Sequence, residues 1–219
     1  MLTPMSPRRS VAAALQTRSD IVERAMLVAS VEGLDGFSLG RLADDLQMSK
    51  SGVLGHFRTK EALQLDALEA AIEVFRREVW EPSLRAEPGL ARLQAICDAW
   101  ISYLQRGVFP GGCFLTAASC EFDGRPGPVH DAIRRALSGW HRVLGSQVRL
   151  AIDAGELPAD ADPEMIAFQL NALAMGANQA IQLFEDPRAV RLAHRAMRAV
   201  VASHGVSARS PGQKLTSPT

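Results

Sequence analysis

The residues best suited to chemistry lie in one short run, Ser38-Leu-Gly-Arg-Leu-Ala-Asp-Asp-Leu-Gln-Met-Ser-Lys-Ser-Gly-Val-Leu-Gly-His-Phe57, closely followed by Lys60. Ser49, Lys50, Ser51, Gly52 and His56 offer short hydrogen-bonding groups, one cation and small residues within eight positions. That set suits contact with phosphates and base edges rather than bond-breaking. The run also has the pattern of two short helices that cross steeply. Such a pair needs a small residue at the contact, apolar inner faces and a tight turn. Ala43 is the small residue, and Leu42, Leu46, Met48 and Val53 fill the inner faces. Ser49, Lys50, Ser51, Gly52 and His56 are then left pointing outward from the second helix, the one that would enter a major groove.

The elements that must position this run are helical throughout. Periodicity near 3.6 dominates and no segment alternates like a strand, so the fold class is all-α, with about nine helices. A first helix is expected from about Asp20 to Glu32, with Gly33 as its stop. A second follows Ser38 as N-cap, and a third covers Ser49 to Phe57. A fourth starts at Lys60 after Thr59, buries Leu63, Ala67, Ala70, Ile72, Phe75 and Val79, and ends near Pro82. Further helices are expected at Leu90–Arg106, after Gly112, and at Val129–Ala154. The pairs Asp162-Pro163 and Asp186-Pro187 each set an N-cap acid before a proline, starting helices that run to Phe184 and His204. The predicted division is a basic disordered arm at 1–17, a helix-turn-helix domain at 18–65, a ligand-binding and dimerisation domain at 66–205, and a disordered tail at 206–219.

The chain has 219 residues, 47% of them hydrophobic, and balances 24 basic against 24 acidic side chains. Zero net charge supplies no general attraction to nucleic acid or to an anionic membrane, so a DNA contact must be local. Cys97, Cys113 and Cys120 show no disulfide or zinc spacing, which fits a reducing cytoplasm, and neither an export signal nor a membrane span is read. Cys113 and Cys120, seven apart, would share a helix face and are read either as an oxidant sensor or as inert buried thiols. His130, His141, His194 and His204 lack metal spacing, and no cofactor is expected. A Gly-x-Ser-x-Gly elbow, a P-loop, a dinucleotide fingerprint and a His-Glu-x-x-His pair are all absent, which argues against an enzyme.

With Ser49, Lys50 and Phe57, then Lys60, Glu61 and Leu63, the N-terminal region resembles the TetR family of one-component transcriptional regulators. The resemblance covers residues 20 to 75. It implies an all-helical homodimer that binds a pseudo-palindromic double-stranded DNA operator and releases it when a small-molecule effector binds. Carried over residue by residue, it adds Phe57 and Lys60 to the DNA-contacting set, with Lys60 on a phosphate; Ser38 and Arg41 complete the expected set, and Arg41 and His56 fit equally as surface residues that touch no base. Arg8 and Arg9 either reach a minor groove or belong to a solvated tail. Two positions depart from the pattern: Gln47 stands where the family commonly turns on glycine, and Leu54 where it commonly has tyrosine. The stretch Gly111–Pro128 looks like a motif found in the ligand-binding domain of one subgroup.

In the C-terminal half the helix from Pro163 to Phe184 is apolar nearly all round and must be covered on two sides. One side fits its own core. The other fits the same helix of a second subunit, with Ala172, Gly176 and Ala180 allowing close approach and Val190, Ala193, Met197 and Val200 joining from the last helix. Trp100, Tyr103, Leu104, Phe114, Trp140, Phe168, Asn171, Met175 and Asn178 make up the expected effector pocket, and each also fits plain core. The set is mostly apolar, which favours a neutral or weakly polar effector. The rival reading is a helical ligand-binding or interaction module whose helix-turn-helix no longer reads DNA.

Overall fold

A computed structural model describes the backbone of residues 7–203 and the side chains of residues 11–202. The elements are α1 (Pro7–Glu32), α2 (Leu39–Asp45), α3 (Lys50–His56), α4 (Lys60–Phe75), a π-helical turn (Arg76–Trp80), α5 (Glu81–Ser83), α6 (Leu90–Gln105), α7 (Phe114–Phe122), α8 (Pro128–Asp153), α9 (Pro163–Gln182) and α10 (Ala189–Ser203). No strand occurs among the described residues, as the periodicity predicts.

The helix starts follow local chemistry. Ser38 Oγ accepts from the Arg41 amide, Ser49 Oγ from Gly52, Thr59 Oγ1 from Ala62, and Asp162 Oδ1 from Glu164 and Met165, at 2.9–3.1 Å. Each satisfies an amide that the first turn leaves without a partner. At the end of α2, the Met48 amide donates to the Ala43 carbonyl and Gln47 to Asp44, the paired bonds of a Schellman motif. Gln47 carries φ +53° there, a left-handed position usually given to glycine.

One boundary moves substantially. α1 begins at Pro7 rather than near Asp20, so residues 7–17 of the expected arm are helical, while Met1–Ser6 and the expected tail at 206–219 lie outside the described residues. Val11 and Leu15 are exposed on this extension. Residues 11–17 bury no side chain, so they leave no apolar periodicity to read, although the helix continues.

The head, α1 to α3, closes around Ile21, Ala25, Leu34, Phe37, Leu42, Val53 and Phe57, all of which are buried. α4 runs from this head into the C-terminal bundle, where it packs on α7 and α8, and α9 packs between α8, α6 and α10. Across its C-terminal end the helical path tightens and loosens without stopping: the Glu81 amide donates to the Arg76 carbonyl five residues back, and Pro82 has no amide to restore the regular ladder.

Candidate nucleic-acid interface and effector cavity

The outward face of α3 is built as the sequence predicts. Ser49, Lys50 and Ser51 are exposed, His56 and Gly52 are half-buried, and Val53 turns inward with no exposure. Leu54 is 38% exposed on the same face. A methyl group on Gly55 would meet nothing, whereas one on Gly52 would come within 3.2 Å of Ser49 Oγ. Gly52 is therefore tied to the cap, and Gly55 leaves open space at the surface.

Most described cations of the head and of the start of α4 are already paired; the side chains of Arg8 and Arg9 lie outside the described ones. Arg24 and Arg41 both reach Asp45, Arg41 also reaches Glu32, Arg18 binds Asp66 and the His56 carbonyl, and Lys60 binds Asp35. Among the basic side chains of residues 11–60, Lys50 and Arg58 form no ion pair, and both are exposed. Arg58, beside the α3–α4 turn, has no helical periodicity to mark it and was not among the expected contacts.

Three expected DNA-contacting residues stand elsewhere. Phe57 is 1% exposed, with the Arg18 guanidinium 4.2 Å above its ring, so it is a core residue that closes the head and not a contact. Ser38 spends its hydroxyl on the α2 cap. The Nζ of Lys60 donates to the Asp35 carbonyl at 2.6 Å and to its carboxylate at 3.0 Å. The Lys60 ammonium and further hydrogen bonds hold the Asp35 carboxyl below the usual carboxylate range.

Of the nine expected pocket residues, four meet in one aromatic cluster. Phe75 lies edge-on to Trp100, Tyr103 and Trp140 with ring centres 5.0–5.6 Å apart, and Phe114 joins through Phe109. The Nε1 atoms of Trp100 and Trp140 are buried with no hydrogen-bond partner among the described residues. Beside the cluster lies a cavity of about 250 Å³ lined by Ile72, Phe75, Arg76, Trp80, Leu115, Ala136, Trp140 and Val143. Arg76, at its edge, is held by Glu73 and Glu81, and those pairings raise its pKa further. Of the lining residues only Trp140 was expected. The others come from the end of α4, the π-helical turn, α7 and α8, which meet only in the fold.

Leu104 is buried beside the cluster on α6. The remaining four stand on α9, away from the cavity. Phe168 is 62% exposed on the outer face, so it is not an interior residue. Asn171 Nδ2 lies 3.5 Å from Met175 Sδ, and Asn178 Oδ1 accepts from the Cys113 amide at 2.7 Å. The Asn178 carbonyl oxygen, expected in the pocket, is thus taken by the chain's own backbone. Ala193 and Met197, expected at a subunit interface, are buried within the protomer, and α10 presents Leu192 and Ala199 outward instead. Cys113 and Cys120 do not share surroundings: Cys120 is exposed, while burial pushes the Cys113 thiol up and that of Cys97 up to about 12.

A head of three helices with an outward-facing α3, joined through α4 to a helical bundle, defines a helix-turn-helix protein with a second, cavity-bearing domain. Residues 89–197 match the family described as tetracyclin repressor-like, C-terminal domain, and the chain belongs to the TetR family. Its fold is similar to a TetR transcriptional regulator from Chloroflexus aurantiacus J-10-FL, with a TM-score of 0.83, 22% identity, and coverage of 89% of this chain and 98% of that one. A TetR-family regulator from Cytophaga hutchinsonii gives a TM-score of 0.79 at 22% identity, covering 94% and 100%. AibR, solved in complex with isovaleryl coenzyme A and operator DNA, gives 0.65 at 19% identity, covering 83% and 96%. No curated protein matches the chain by sequence. No helix among the described residues is long and apolar enough to cross a membrane.

Proposed function

We propose that the chain is a one-component transcriptional regulator of the cytoplasm, a homodimer that binds a pseudo-palindromic operator and is released by a small apolar effector. The outward face of α3 carries this reading: Ser49, Lys50 and Ser51 are exposed together, and Lys50 is free of ion pairing where its neighbours are neutralised. A cation with no internal partner on a helix of groove-fitting size is available to DNA. Arg58 extends the same positive edge, and Arg41, Gly52 and His56 flank it. Lys60 contributes to a phosphate only by leaving Asp35.

Two heads are needed to read two half-sites one helical turn apart. α9 and α10 supply the means. Met165, Phe168, Leu183 and Leu192 are each about half exposed or more, with the small residues Ala172 and Gly176 between them on the outer face of α9. An apolar face of this kind on paired helices fits a two-fold contact with a second copy. The effector belongs in the cavity against Trp140 and Phe75. Its walls are apolar and its one cation is paired with two carboxylates, so an uncharged molecule is favoured over an anion. That AibR was solved with both a small ligand and operator DNA shows that a relative in fold combines the two partners.

The test is selection of duplexes from a random pool by the purified full chain, with Lys50→Ala in parallel. Recovery of a two-half-site sequence that the variant binds more weakly is expected. Enrichment of nothing would leave a ligand-binding module whose helix-turn-helix does not read DNA.

A further inference from the structure

We infer that Glu121 is a positioning residue for DNA binding, clamping the α1–α2 loop of the head to the C-terminal bundle, and that α7 carries cavity filling to that clamp. The inference rests on the reading of the head as DNA-binding and of the Trp140 cavity as the effector site.

Both carboxylate oxygens of Glu121 are engaged, Oε2 by the Leu34 amide at 2.7 Å and Oε1 by the Asp35 amide at 2.8 Å. A charged acceptor taken by two adjacent amides fixes position and orientation together. The same loop is gripped from α4, where the buried Gln64 donates to the Leu34 carbonyl at 2.9 Å. It is gripped again through the Asp35 carboxylate, which lies between Lys60 and Arg125, each at 3.0 Å. Gly33, φ +87°, brings the backbone so close that a side-chain carbon would sit 3.1 Å from the Glu121 oxygens.

A second docking point lies on the last turn of α1. A side-chain carbon at Gly111 would fall 1.5 Å from the Ser30 carbonyl oxygen, so only glycine allows this approach. Gly111, Glu121 and Arg125 all belong to the stretch Gly111–Pro128 that stands out in the sequence. Its role here is to seat the head on the bundle.

α7 joins this clamp to the cavity. Leu115, in its first turn, lines the cavity, and Glu121 lies six residues on, about 9 Å along the helix axis. A molecule that enlarges the cavity against Leu115 shifts a rigid two-turn helix, and with it the carboxylate that orients the loop. Such a molecule acts only by fitting the shifted arrangement better. Losing the clamp leaves each head able to bind DNA but frees its orientation, so the cost falls on binding two half-sites at once.

The experiment uses the full-length protein and needs no effector. Amide hydrogen exchange at Leu34 and Asp35, and affinity for the selected palindromic duplex against a single half-site duplex, are measured for five proteins. These are wild type, Glu121→Ala, Glu121→Gln, Ala136→Trp as a cavity-filling probe, and Ala136→Trp combined with Glu121→Ala, with Ala136→Phe in reserve if the tryptophan does not fold. Glu121→Ala, which removes both charge-assisted bonds, is expected to speed exchange of both amides and weaken palindrome binding by about tenfold or more. Half-site affinity should stay unchanged, and Glu121→Gln, which keeps an acceptor oxygen, should recover part of the loss. Ala136→Trp should speed the same two amides and weaken palindrome binding, and adding Glu121→Ala to it should change nothing further. Equal loss on half-site and palindrome, additive effects, or unchanged amides in Glu121→Ala would each overturn the inference. If Glu121→Ala acts as expected and Ala136→Trp leaves amides and affinity alone, the link to the cavity is overturned while the positioning role stands. If no variant binds any duplex but the amides respond as expected, the DNA reading fails and the clamp remains.

Discussion

The two ends of α4 are built from opposite materials. At its start, Thr59, Lys60 and Gln64 hold the head through directional hydrogen bonds to the α1–α2 loop and to the helix's own first turn. At its end, Phe75 meets Trp100, Tyr103 and Trp140 in edge-on ring contacts beside a cavity that Ile72 also lines, and the helix widens into a π-helical turn. Hydrogen bonds lose strength within a few tenths of an ångström, whereas apolar packing beside a void can rearrange at smaller cost. The stiff end suits a reading head that must be presented in one orientation. The compliant end suits a sensor that has to admit a guest.

This contrast can be broken by substitution, beginning where the effect should be largest. Phe75→Ala removes the ring shared by the whole aromatic cluster and should cost about 3–5 kcal/mol in urea unfolding, as for other buried phenylalanines. A loss below about 1 kcal/mol would mean that the cluster holds little of the bundle together. At the stiff end, Thr59→Ala deletes the cap of α4 and should cost about 1 kcal/mol. Gln47→Gly relieves a left-handed residue at the Schellman turn and should raise stability by about 0.5 kcal/mol, after the greater chain entropy of glycine is set against the strain. The smallest effect concerns pH. Asp35 is held below its ordinary value of about 3.9 by Lys60, so its contribution is present above that value and is lost as pH falls through the lower folded value. Exchange protection of the Leu34 and Asp35 amides should therefore be flat between pH 5 and 8, after correction for intrinsic rates, and fall only below about pH 4.

What could be read from the sequence was local. Ser38, Ser49, Thr59 and Asp162 announce their helices because a cap acts within three residues, and Ala43, Leu42 and Val53 announce the crossing of α2 and α3 because both helices lie in one short run. Gln47 was also readable as a strained turn. Phe57 was misassigned because the family pattern records that an aromatic stands there, not which way it faces. Phe168 was misassigned because a helix apolar on two sides does not reveal which side meets its own core; that depends on how α6, α8 and α10 pack against α9. The Glu121 clamp lies in the stretch Gly111–Pro128 that stands out in the sequence, but nothing there marks what the glutamate binds. Its partners lie 86 and 87 positions away, and a lone glutamate on an amphipathic helix looks like any solvated residue.

The central claim is that α3 reads DNA through a cation the fold leaves free. The most direct measurement is the affinity of wild type and Lys50→Ala for the selected duplex across a series of salt concentrations, alongside thermal stability. The account predicts weaker binding by the variant, a log–log salt slope reduced by about 1, and unchanged stability within about 0.5 kcal/mol. Binding by the variant with wild-type affinity and slope would contradict it and would move the DNA-contacting surface away from α3.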